Sequence, residues 1–81
     1  MNYTTQQVRT DAAKRLDDAI KESGMRIDAI VNKSGMPAST LNSKRRGFSP
    51  INFDDVALLA PIIGCSIVKL LPPQFAQAVA A

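Results

Sequence analysis

Four glycines, Gly24, Gly35, Gly47 and Gly64, each stand at the end of a stretch with helical character. Glycine enters the left-handed conformation that closes a helix without a Cβ penalty, so this punctuation predicts a chain cut into short helices. In the first, Val8, Ala12, Leu16, Ala19 and Ile20 recur at spacings of three and four, the pattern of an amphipathic helix. Thr5 or Thr10 is placed to cap it. The second helix is expected from about Arg26 to Lys33, with Ile27, Ile30 and Val31 inward. Pro37 suits the first turn of a third, because its missing N–H would be unpaired there anyway. That helix, Ala38 to Arg46, has Leu41 as its single large apolar residue and leaves most of its surface outside. Asn52 can cap the fourth, with Asp54 and Asp55 in the first turn, where the helix dipole favours anions. Phe53, Val56, Ala57, Leu59, Ala60 and Ile63 are expected to make it the most buried segment, and Pro61 is expected to kink it or end it early. Ser66 caps a last short helix carrying Ile67, Leu70 and Leu71, which Pro72 and Pro73 stop. No strand pattern appears. The expected fold is all-α, a compact bundle of about five short helices.

With 81 residues the chain has room for one small core and little prospect of a deep catalytic cleft. Ile27, Ile30, Leu41, Phe53, Val56, Leu59, Ile63 and Leu70 are the residues expected to form that core. No catalytic constellation is found, and an enzyme is not expected. There is no histidine and only one cysteine, Cys65, so no metal-ligand spacing exists and no cofactor is expected. Cys65 reads as a small buried hydrophobe. A lone cysteine also gives no sign of an oxidising compartment, and no apolar run approaches the length of a membrane span. A soluble, cytoplasmic protein with no membrane partner is the expectation.

Charge is unevenly distributed. Met1 to Arg46 holds nine Lys or Arg against five Asp or Glu, whereas Gly47 to Ala81 has only Lys69 against Asp54 and Asp55. The basic field therefore belongs to the half that carries the polar third helix. The stretch SGMPASTLNSKRRG, Ser34 to Gly47, contains no acid and ends on three cations. A run of that kind is either a solvated helix face or a surface for a polyanion.

The run RIDAIVNKSGMPASTLNSKRRG, followed by ALLAPIIGCSIVKLL, resembles the helix-turn-helix domain of the lambda-repressor/Cro-like (XRE) family, phage and prophage repressors among them. The features that carry the likeness are Gly35 at the turn, Ser39-Thr40-Leu41 in the second helix of the pair and Arg46-Gly47 at its end. Downstream, Ala60, Gly64, Ser66, Leu70 and Leu71 match as well, so the resemblance spans roughly Asp11 to Leu71. Three positions depart from the family pattern. Pro37 replaces a polar cap, Val31 stands where alanine is preferred, and Lys44 occupies a site that an aromatic or aliphatic side chain usually fills beneath the recognition helix.

The resemblance implies residues 1–71 as the DNA-binding domain and 72–81 as a tail, either a dimer contact or a linker. It implies double-stranded DNA as partner, read by a homodimer on an inverted repeat with half-sites about one helical turn apart. Ala38, Ser39, Thr40, Asn42 and Ser43 are then the base contacts, Asn42 being of the type that pairs bidentately with adenine. Arg26, Lys33, Lys44, Arg45 and Arg46 are the expected phosphate contacts. Lys44 alternatively lays its stem on the core and exposes only its ammonium. Ile67, Leu70, Leu71, Phe75 and Val79 form the expected dimer surface. The function implied is a sequence-specific transcriptional regulator, chiefly a repressor that occludes a promoter. The alternatives are an antitoxin-like module with a protein partner, or an activator that touches polymerase.

Overall fold

The structure, a computed structural model, describes residues 3–75. Five helices follow in order: α1 (Thr5–Ser23), α2 (Ile27–Ser34), α3 (Ala38–Arg45), α4 (Phe53–Ile63) and α5 (Ile67–Leu70). No strand occurs among the described residues. The N-cap of α1 is Thr4, one residue ahead of the nearer candidate. Its hydroxyl accepts from the Gln7 N–H at 3.0 Å, while Thr10 donates back to the Gln6 carbonyl inside the helix. Ser66 caps α5 as expected, accepting from the Val68 N–H at 3.1 Å.

One core holds the helices together. Leu16, Ala19 and Ile20 of α1, Ile30 of α2, Leu41 of α3, Val56, Leu59, Ala60 and Ile63 of α4, and Leu70 of α5 form a single buried cluster. Leu16, Ile30, Leu41 and Leu59 are its largest fully buried side chains. Truncating any one of them to alanine removes about 2–5 kcal/mol. Ile27, Val31 and Cys65 pack against the cluster while partly exposed.

Two burial expectations in α4 are corrected, those for Phe53 and for Ala57, which is exposed. Phe53 is 76% exposed rather than core, because the first residue of the helix points away from the stripe made by Val56, Leu59, Ala60 and Ile63. Its ring instead meets Phe75 edge-on, the centroids 6.4 Å apart. Pro61 lies inside the helix, which continues to Ile63. The bond that Pro61 cannot donate would have gone to the carbonyl of Ala57, an exposed residue where water is an alternative donor. Burial of Ala60 and Ile63 on either side carries the helix past the proline.

Candidate nucleic-acid interface

The turn between α2 and α3 is made by Gly35, Met36 and Pro37. Gly35 ends α2 at φ +75°, with its N–H on the Val31 carbonyl at 2.9 Å. Ser34, the last residue of α2, accepts from the Met36 N–H at 3.1 Å, and Met36 drops into the core at 9% exposure. The same Ser-Gly-Met device closes α1, where Ser23 accepts from the Met25 N–H at 3.1 Å and Gly24 sits at φ +71°. Each methionine anchors the chain as it leaves one helix for the next. Met36 belongs to the core, whereas Met25 packs against it half-buried.

From this turn α3 starts with Pro37 as its N-cap and presents Ala38, Ser39 and Thr40 to solvent. Leu41, fully buried, is the first anchor. Lys44 is the second, and it corrects the expectation of a phosphate contact. The residue is only 8% exposed. Its Nζ donates to the Asp55 carboxylate at 2.8 Å and to the Pro50 carbonyl at 2.9 Å. The same Asp55 oxygen accepts the Asn52 N–H at 2.8 Å, which makes it both partner to Lys44 and part of the α4 cap. The ammonium is inside, not merely the stem. In the space where an apolar side chain would otherwise fill the underside of α3, a buried ion pair joins α3, the following loop and α4.

Arg45 is also corrected. Its Nε and Nη2 donate to Asp17 of α1 at 3.0 and 2.7 Å, and its Nη1 donates to Asn42 Oδ1 at 2.9 Å. The guanidinium is occupied on two sides and ties α3 to α1. Asp17 takes Lys21 on its other oxygen at 2.9 Å. That hydrogen bond, together with Arg45, holds the Asp17 carboxyl below its ordinary value of 3.8 against the opposing effect of burial. In the sequence Asp55 reads as no more than a first-turn acid, and nothing in the sequence sets Asp17 apart. Only their partners across the fold distinguish them from Asp18 and Asp54.

The outward face of α3 follows from these anchors. Residues three or four apart share a helix face, so Ser39, Asn42 and Ser43 lie opposite Leu41, Lys44 and Arg45, with Arg46 exposed just beyond. Asn42 and Ser43 are half-buried. The Asn42 carbonyl is engaged by Arg45, and the Ser43 hydroxyl lies 2.7 Å from that of Ser49. This narrows the expected adenine pair: Asn42 keeps its amide donors for a ligand but shares its acceptor. After α3 the loop turns on Gly47, buried at φ +80° against Thr10 and Ala13 of α1. Arg26 and Lys33 sit exposed at the two ends of α2. Arg26 makes a 3.3 Å ion pair with Asp28 in which both side chains are open to water. Such a pair contributes little and yields readily to a competing anion.

Of the expected dimer surface, Ile67 is 52% exposed and its neighbour Val68 74%. Leu70 is corrected: at 3% exposure it belongs to the core and has no free surface to offer. Leu71 and Phe75 are half-buried, and Val79 lies outside the described residues.

Among the described residues no group of His, Cys, Asp and Glu could hold a metal ion, and no helix is long and apolar enough to cross a membrane. Two helices joined across a glycine turn, the second anchored on one side and polar on the other, define a helix-turn-helix fold. The chain is similar in fold to the DNA-binding domain of BldD, with a TM-score of 0.74 over 85% of this chain and 100% of that one, at 21% identity. No protein-family model matches the chain, and no curated protein matches it either.

Proposed function

We propose that this protein is a sequence-specific DNA-binding transcriptional regulator. The observation that carries this reading is the construction of α3. Leu41, Lys44 and Arg45 are all committed to the interior or to α1, which leaves a rigid helix whose other side is small, polar and free of acid. A major-groove helix needs that combination, since a close backbone approach requires small residues and base edges require hydrogen-bonding groups. The fold likeness to the DNA-binding domain of BldD supports the same reading. Ala38, Ser39, Thr40, Asn42 and Ser43 read bases, while Arg26, Lys33 and Arg46 hold phosphates. Lys44 and Arg45 are positioning residues instead.

The mode of action we propose is repression. In this reading the protein acts as a homodimer on an inverted repeat, which doubles the contact with DNA, and represses by occluding a promoter of phage or prophage type. Ile67 and Val68 project from α5 and supply the apolar area for pairing. Fluorescence anisotropy on duplex from the region upstream of its own coding sequence, against scrambled duplex across a salt series, is the test. The expected result is preference for the cognate duplex with a steep loss of affinity as salt rises. Equal, weak binding to both duplexes would discard the reading. Tight capture of another protein by α5 without DNA preference would replace it with that of a protein-partner module.

A further inference from the structure

Away from the polar face of α3, the first turns of α1, the start of α4 and the segment after α5 enclose an open cleft of about 530 Å³. That volume falls within the roughly 300–1,000 Å³ typical of small-molecule sites. Val8, Ala12, Ile51, Phe53, Leu71 and Phe75 give it apolar walls, and the edge-on contact of Phe53 with Phe75 stiffens one side. No Asp or Glu lines it. Among the described residues its single charged lining residue is Arg9, whose Nε is buried without a hydrogen-bond partner. Asp11, the acid closest to Arg9 in sequence, accepts from Gln74 Nε2 at 2.7 Å and not from Arg9.

A guanidinium does not escape this situation by losing its proton. Arg9 lines the cleft with no acid beside it, so an anion entering there meets a guanidinium with no opposing charge and forms charge-assisted hydrogen bonds with it. The walls beside it reward an apolar body. We propose that this cleft binds a small amphiphilic carboxylate, with the head group on the Arg9 guanidinium and the tail along Val8, Ile51, Phe53 and Leu71. The inference is independent of DNA binding, because none of the cleft's residues belongs to α2 or α3.

Titrating the full chain with octanoate and, separately, with octanol, while following backbone amide shifts by NMR, tests it. The expected result is saturable shifts confined to residues around the cleft, with octanol about tenfold weaker or worse for want of the charged pair. In Arg9→Gln, octanoate should bind no better than octanol. The absence of saturation at millimolar octanoate would overturn the proposal. Equal affinity of acid and alcohol for the unaltered chain would do the same, whatever the variant's stability. Shifts at these residues that depend on protein concentration alone would assign the cleft to a second copy of the chain and equally overturn it.

Discussion

At the scale of single residues, two carboxylates govern how α3 is held. Removing Lys44 leaves Asp55 largely buried with only a backbone donor, and breaking a buried pair from one side costs about 3 kcal/mol or more. Lys44→Ala is therefore expected to lower the urea midpoint severely. Arg46→Ala, at an exposed site, should leave stability unchanged and reduce the salt slope of DNA binding by about one. A salt slope changed by Lys44→Ala in a fully folded protein would contradict this division of roles. Asp17 contributes a pH dependence. Its carboxyl is held below 3.8 in the folded chain, so its stabilisation is fully present above that value and is lost as pH falls through the lower folded value. Urea midpoints at about pH 6 and about pH 3 should differ less in Asp17→Asn than in the parent.

At the scale of elements, the turn before α3 is a matter of backbone conformation rather than crowding. A Cβ at Gly35 would meet nothing within 4 Å, yet φ is +75°. Gly35→Ala should thus cost about 1–2 kcal/mol from the left-handed conformation alone, read as a lower melting temperature with the same fold by NMR. A much larger loss would mean that packing at the turn has been misjudged. Helix existence and order were legible in the sequence because glycine punctuation and apolar spacing are local signals. The inward assignment of Ile30, Leu41, Val56, Leu59 and Ile63 followed from the same periodicity. Pro61 was not legible in this way, since its local penalty is outweighed by burial of Ala60 and Ile63, which depends on the other helices. Phe53 was misjudged for a related reason: composition marked it as apolar, but its place in the first turn of α4 aims it at the cleft.

At the scale of the whole molecule, exposed Ile67 and Val68 are the test of assembly. At protein concentrations low enough to dissociate the pair, Ile67→Asp or Val68→Asp should leave the melting temperature nearly unchanged, because in the single chain both side chains are already more than half in water. The same changes should weaken operator binding and shift sedimentation toward the monomer. Unaltered sedimentation and affinity would move the pairing surface elsewhere. By itself the amino-acid order determined a small all-α chain with a glycine turn ahead of an unusually polar third helix, since helix propensity, capping and periodicity act over a few residues. Only the tertiary structure decided what the three cations at the end of that helix do. Lys44 meets Asp55, eleven residues on, and Arg45 meets Asp17, twenty-eight residues back, so two of the three charges are spent on holding the helix and Arg46 alone is left outside. Ion pairs form between groups that the fold brings together, and no local pattern records which partner a long flexible cation will find.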